Sequence, residues 1–309
     1  MDTYLIRPSG LLVTWLVRST SVSPAALTAA AVVAGWLAAY FFFLAAKSGN
    51  QGNFGWLAAV TLLVHSAFDS ADGQLARWKN EASDLGRLID GIGDYLSFLA
   101  IYLAIGFGLD IAHQSNGPVF VAVSLFAAAS HALQCALVEY QRNLYRQIAL
   151  GTEMGAALSA KDEAKARAES ASGFAWLLHV LHIAYTRIQT FFCGSSMLLS
   201  DRIHHWKQAH PEHQHRLRRV VVSNQGKILR SWAVLAPNSH KVAMIVGAIL
   251  PVGSPSTWGS FGLVWYFIYG LGFLNILLIV FLKIQRSADR KTWRDIQSLN
   301  APRSSSHAT

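Results

Sequence analysis

Apolar residues fall along this chain in long runs separated by short polar connections. Five of the runs, Pro24–Ala46, Phe54–Asp72, Asp90–Ile111, Pro118–Tyr140 and Ser256–Ile284, reach the length of roughly 20 residues that a helix needs to cross a bilayer. A sixth, Ser231–Val252, is apolar except for a polar knot at Asn238, Ser239, His240 and Lys241, and is counted as a span. Ahead of the first span, Leu11, Leu12, Trp15 and Leu16 share one helical face with Arg7 and Arg18 nearby, the pattern of a helix lying in the membrane interface. Within that span Ala26, Ala30, Ala34 and Ala38 recur every four residues, a spacing that permits close helix packing.

Between the fourth and fifth spans lies a long segment, Gln141 to Arg230. Its polar middle, "SAKDEAKARAES", predicts an exposed helix or a disordered stretch. Ala175–Phe192 is long and apolar enough to suggest a further crossing. A single crossing there would strand Arg202, Lys207, Arg216, Arg218, Arg219, Lys227 and Arg230 outside, against the charge asymmetry of membrane proteins, so it is placed at the interface. The expected fold is an all-α integral membrane protein with six transmembrane helices. Residues 1–22 form the N-terminal interfacial helix, 23–285 the transmembrane domain with 141–230 as a cytoplasmic or interfacial insertion, and 286–309 a solvated cytoplasmic tail.

Composition agrees, since 52% of the 309 residues are hydrophobic and only 14% are charged, outside the usual range of soluble domains. With six spans and both termini cytoplasmic, every Lys and Arg but Lys47 and Lys241 falls inside. The net charge of +9 is then mostly a topology signal, with attraction to anionic headgroups as a secondary effect. Nucleic acid is excluded as a partner on the same ground. Cys135 and Cys193, the only cysteines, suggest no disulfide framework, and no cleavable signal peptide is expected. The expected location is a bacterial inner membrane.

One stretch breaks the apolar pattern. "FDSADGQLARWKNEASDLGRLIDGIGDY", residues Phe68 to Tyr95, holds six of the seventeen acidic residues. Asp69 and Asp72 are three apart and Asp90 and Asp94 four apart, so each pair shares a helix face. Antiparallel helices joined by a short basic turn would aim both pairs at one spot near the cytoplasmic surface. Four crowded carboxylates in low dielectric are costly unless something cationic binds them. Arg77, Lys79 and Arg87 offset part of the charge. Two divalent cations would offset all of it, and hard oxygen ligands suit Mg2+ or Mn2+. Gly73, Ala76, Gly86, Gly91 and Gly93 leave room beside the carboxylates for a bulky substrate. His65, four residues before Asp69, is a packed or hydrogen-bonded residue, because imidazole is a poor partner for magnesium.

The spacing Asp69-x2-Asp72-Gly73-x2-Ala76-Arg77-x8-Gly86-x3-Asp90-x3-Asp94 is similar, position by position, to the signature of the CDP-alcohol phosphotransferases. That resemblance is specific over residues 69 to 94. It implies a six-helix membrane enzyme, a homodimer, that cleaves the pyrophosphate of a CDP-linked donor, releases CMP and joins the remaining phosphoryl group to an alcohol acceptor. The donor implied is CDP-diacylglycerol or a soluble CDP-alcohol, with a membrane lipid on one side of the reaction. By the likeness Asp69, Asp72 and Asp90 hold the metals, while Asp94 shares in coordination and accepts the proton of the attacking hydroxyl. Gly73, Ala76 and Arg77 line the CDP site. The chain departs from the Pro-Asn-x-x-Thr of many relatives, reading Ser23-Pro24-Ala25-Ala26-Leu27-Thr28: the threonine is kept and the amide is absent.

Basic residues extend the expected site. Arg142 and Arg146, where the fourth span leaves the membrane, fit phosphate binding on the donor or acceptor side. Lys241, inside a span, is expected to face the polar cavity with Asn238 and His240. Two other classes bind cations with intramembrane carboxylates. An intramembrane prenyltransferase would carry an Asn-Asp-x-x-Asp-x-x-x-Asp pattern and a second acidic motif, both missing. A cation transporter would place acids near the bilayer middle on several helices, whereas these gather at one edge.

Overall fold

The computed structural model describes residues 6–49, 53–150, 173–250 and 261–300. The described residues are helical almost throughout: α1 (Arg7–Val17), α2 (Pro24–Ser48), α3 (Phe54–Trp78), α4 (Asp84–Ala112), α5 (Val119–Leu150), α6 (Phe174–Phe192), α7 (Gly194–Ala209), α8 (Gln214–Trp232), α9 (Pro237–Ile249), α10 (Phe261–Phe267) and α11 (Leu274–Gln297). A π-helical turn, Ile268–Phe273, joins the last two. The chain divides into two compact units, Met1–Ala132 with Pro237–Asn275, and Leu133–Ala236 with Ile276–Thr309.

In the first unit α2 is the central element and packs against both α3 and α4. Its start is well signalled: Ser23 is extended and its hydroxyl accepts from the Ala26 amide at 3.1 Å, with Pro24 in the first turn. Its end is Gly49 at φ 62, the left-handed conformation that glycine adopts most cheaply. The alanine repeat seen in the sequence is only half used, because Ala34 and Ala38 are buried while Ala26 is exposed. The packed stripe is Leu27, Ala31, Ala34, Gly35, Ala38, Phe42 and Ala45. At Gly35 all three helices meet: a Cβ there would sit 2.7 Å from Ser97 of α4 and 3.3 Å from the His65 ring of α3. The core around them joins Phe42, Leu62, Ile101, Tyr102, Ile105 and Met244.

The helix α1 lies against α3 through small residues. Thr14 donates to the Ala71 carbonyl at 3.2 Å, and Gly10 lets the backbone approach Ser70. Leu11, Leu12, Trp15 and Leu16 all stay more than half exposed, which leaves an apolar face turned away from the protein.

Five helical stretches among the described residues are long and apolar enough to cross a membrane: Pro24–Ser48, Phe54–Trp78, Ile89–Ala112, Val119–Ala149 and Gly262–Gln297. This corrects the expected six. Ser231–Val252 does not form one helix, since α8 ends at Trp232, a short 3-10 turn follows, and Ala236 is extended at ψ 158 before Pro237. Proline excludes the helical conformation from the residue before it and supplies no amide donor. What remains, α9, has 13 residues, about 20 Å against a hydrocarbon core of about 30 Å. The α6 helix, Phe174–Phe192, is not among the five. The polar stretch Ser159–Ser170 lies outside the described residues.

The second unit is held by an apolar cluster and a buried polar hub. Leu199, Ile203 and Trp206 of α7 pack with Leu217 and Val221 of α8 and Ile296 of α11. Beside them the Asp289 carboxylate accepts from Ser195 and Ser196 at 2.8 Å each, from Gln285 at 2.9 Å and from Gln225 at 3.1 Å. Four neutral donors thus satisfy a buried acid that has left water. The tail expected from residue 286 onward is helix as far as Gln297, because Ala288, Thr292 and Ile296 repeat every four residues and bury one face. Residues 301–309 lie outside the described residues.

The close approach at Gly35 makes a direct prediction. Gly35→Leu should force α2 away from Ser97 and His65 and cost about 1–3 kcal/mol of stability. The check is the thermal midpoint of the purified protein in detergent, which should fall, while Val33→Leu at an exposed position of the same helix should leave it unchanged.

Candidate active site

Helical spacing carries Asp69 and Asp72 to one face of α3, and Asp90 and Asp94 to one face of α4. The cap of α4 explains why the second pair starts where it does: Ser83 is extended and its hydroxyl accepts from the Gly86 amide at 3.0 Å. The two faces meet. The side chains of Asp72 and Asp90 are within hydrogen-bonding reach of each other, as are those of Asp69 and Asp94. All four acids singled out in the sequence are therefore brought together.

Three of the four are also held by a group from outside the motif. Thr28 of α2 donates to Asp72 Oδ2 at 2.6 Å, so the threonine kept from the first-span pattern acts directly on the acidic pair. Lys241 of α9, almost wholly buried, sets its Nζ 3.6 Å from Asp69 Oδ2 and 5.4 Å above the Phe98 ring. His65 is equally buried, with Nδ1 2.8 Å from the Ala31 carbonyl and Nε2 3.3 Å from Asp94 Oδ1. The imidazole thus bridges α2 and an α4 carboxylate, which is the hydrogen-bonded role expected for it. Two of these partners, Thr28 and Lys241, are far from the acids in sequence, and only the amide-less first-span motif and the polar knot hinted at them.

Lys241 owes its position to a ring of buried polar side chains. His240, its neighbour, lies 3.2 Å through Nδ1 from the Tyr266 hydroxyl. Tyr266 contacts the Tyr102 hydroxyl, and Tyr102 lies 3.2 Å from His131 Nδ1. His131 closes the ring by stacking on His240 at 3.8 Å between centroids. Residues from α4, α5, α9 and α10 are joined in this way, and the short helix α9 is fixed beside α3. His240 belongs to the polar knot, but nothing in the periodicity distinguished Tyr102, His131 and Tyr266 from ordinary core positions.

The remaining expected site residues separate into three groups. A Cβ placed on Gly73 would lie in ordinary contact, 3.5 Å from the guanidinium of exposed Arg77; Ala76 is half-buried. Gly91 borders open space, whereas Gly93 lies where a Cβ would be 3.0 Å from Val32 and serves packing. Lys79 does not neutralise the acids as anticipated. Its ammonium donates to the Val22 and Thr20 carbonyls at 2.7 and 3.1 Å, tying the α3 terminus to the α1–α2 connection. The side chain of Arg87 lies outside what is described. Arg142, half-buried, and Arg146, exposed, belong to α5 within the second unit.

Four carboxyl groups at the facing ends of α3 and α4, with the buried Lys241 ammonium beside Asp69, form an acid cluster within membrane-spanning helices. The family model for CDP-alcohol phosphatidyltransferase matches residues 21–195, more than half of the chain, and the chain belongs to that family. It is an enzyme that transfers a substituted phosphate group from a CDP-linked donor to an alcohol acceptor. Comparison with curated proteins and with solved structures gave no match.

Proposed function

We propose that this chain is a divalent-metal-dependent enzyme of phospholipid biosynthesis, working as a homodimer with its acid site open to the cytoplasm. The observation that carries the reading is the meeting of the Asp69, Asp72, Asp90 and Asp94 carboxyls between α3 and α4. Among the described residues no three ligating side chains are grouped tightly enough to hold an ion as they stand. The donor set still fits Mg2+ or Mn2+: all oxygen, all acidic, and placed where uncompensated charge is costly. Asp69, Asp72 and Asp90 would hold two such ions, with Asp94 sharing in coordination. When bound, they would neutralise phosphate oxygens and the departing CMP. The homodimer rests on family likeness.

The side chains supply the rest of the chemistry. The acceptor oxygen attacks the phosphorus distal to cytidine, the pyrophosphate P–O bond breaks, and CMP leaves. The hydroxyl proton passes to Asp94, which His65 holds in place from the Ala31 side. Thr28 fixes one oxygen of Asp72. Gly73, Ala76 and Arg77 line the CDP site, with Arg77 at the phosphates. Lys241 offsets Asp69 and meets phosphate oxygens toward the acceptor; Arg142 and Arg146 are assigned phosphate binding on their basic character at the end of the fourth span alone. The donor is CDP-diacylglycerol with a polar acceptor, or a soluble CDP-alcohol with a lipid acceptor. Membranes given each radiolabelled donor with a panel of acceptors decide between them by where the label ends.

Asp69→Ala, Asp72→Ala and Asp90→Ala should each abolish CMP release and also the metal-dependent rise in thermal midpoint. Asp94→Asn should keep the metal response and lose turnover; near-normal turnover would remove the general-base role.

Truncating the cations should weaken acceptor use more than CDP-donor binding. Each lost charge-assisted hydrogen bond is worth roughly 1.5–3 kcal/mol, or about ten- to a hundredfold in acceptor efficiency. Donor titrations and acceptor kinetics on Arg142→Ala, Arg146→Ala and Lys241→Met measure the split. Unchanged acceptor kinetics in all three would make them anchors only.

The cytoplasmic orientation rests on the basic residues flanking α1 and the α3–α4 turn. A cysteine replacing Gln114, in the α4–α5 connection, should react with an impermeant thiol reagent from outside, and one replacing Asn80 should not. The reverse pattern would invert the site.

A further inference from the structure

In the second unit a cleft of about 830 Å3 runs between α8 and the end of α11. Arg216, Arg219, Val220 and Ser223 line it from α8, which places one helix face on the cleft through three- and four-residue steps. Lys291, Asp295 and Ser298 answer from the other side at the same helical spacing. The charges are not balanced. Lys291 and Asp295 are committed to one another at 3.7 Å, and Asn224 binds both, accepting from Lys291 at 2.6 Å and donating to Asp295 at 2.8 Å. The single acid of the cleft is thereby satisfied. Arg216 and Arg219 make no ion pair or hydrogen bond among the described residues, although both face the cavity.

Two like charges three residues apart on a helix repel, and nothing in the wall offsets them. The Ser223 hydroxyl also lines the wall, with an apolar rim at Val220 and Leu299, while the Ser298 hydroxyl donates to the Asp295 carbonyl at 2.7 Å. Planar guanidiniums from one helix face, with a hydroxyl on the same face, suit the oxygens of a phosphate group through bidentate bonds. The volume lies within the range of small-molecule sites. We infer that this cleft is a second, non-catalytic binding site for a phosphate-bearing anion, held by Arg216 and Arg219. Its ligand is a phosphomonoester or pyrophosphate group, carried by a membrane lipid headgroup or by a soluble molecule. The site shares no residue with the acid centre, so it stands whether or not the proposed catalytic roles do.

The test is arginine footprinting of the full-length protein with phenylglyoxal, read residue by residue by mass spectrometry. In detergent, inorganic pyrophosphate and glycerol 3-phosphate are the soluble probes. In phosphatidylcholine nanodiscs, phosphatidic acid is the lipid probe. Protection of Arg216 and Arg219, with Arg218 and Arg230 of the same helix unprotected, is the expected result. Protection by phosphatidic acid assigns the site to a lipid headgroup, and protection by the soluble probes alone assigns it to a soluble phosphate. Arg216→Gln with Arg219→Gln should then weaken probe binding by roughly tenfold or more, while the charge-matched pair Arg218→Gln with Arg230→Gln should not. Equal protection of all four arginines, protection of none by any probe, or equal loss in both double variants would overturn the proposal.

Discussion

Crowding four carboxyl groups at the edge of a membrane is the constraint on which the rest of the first unit depends. Removing one such charge from water costs several kcal/mol, and neighbouring acids add to the cost. The fold answers with three separate devices. A hydroxyl from α2 reaches Asp72, an imidazole pinned to an α2 carbonyl reaches Asp94, and a buried ammonium from α9 reaches Asp69. Each device comes from a different place in the chain. Removing α2 from its position would therefore disturb two of the three at once, which is why the tight approach at Gly35 matters to chemistry as well as to packing.

The same constraint accounts for the short helix. A full transmembrane span at Ser231–Val252 would carry Asn238, Ser239, His240 and Lys241 through lipid, where an ionised lysine costs a few kcal/mol. Pro237 instead starts the helix just before the polar knot. Those residues become the first turn of a helix packed on α3. His240 and Lys241 then face protein, and the ring of Tyr266, Tyr102 and His131 satisfies the imidazole. The polar knot is thus the first turn of α9, with His240 and Lys241 buried, rather than an interruption in a crossing.

How much of this was legible in the sequence follows from the range of each interaction. The acidic faces were readable because spacings of three and four within one helix fix a common side, and because 69 to 94 is a single helical hairpin. The first four apolar runs were readable because length and hydropathy are local. The count of six failed where a local average concealed a proline and the extended residue before it. The alanine repeat misled in a similar way, since it runs diagonally across the face that Leu27, Ala31 and Gly35 bury. The bond between Lys241 and Asp69 joins residues far apart in the chain, and periodicity carries no information about such a pairing.

The second unit shows the opposite use of charge. Asp289 is as buried as Asp72, yet four neutral donors surround it, and its partners, two serines and two glutamines, come from three helices. A carboxylate satisfied entirely by fixed neutral donors has no spare lone pairs to offer and no reason to recruit a cation. The acids of the first unit are arranged otherwise: they face one another, and one edge of their cluster borders the open space at Gly91. Burial alone does not separate a structural acid from a reactive one. The difference lies in the surrounding donors: four neutral ones satisfy Asp289, which belongs to the framework, whereas Asp69, Asp72, Asp90 and Asp94 have one another as neighbours.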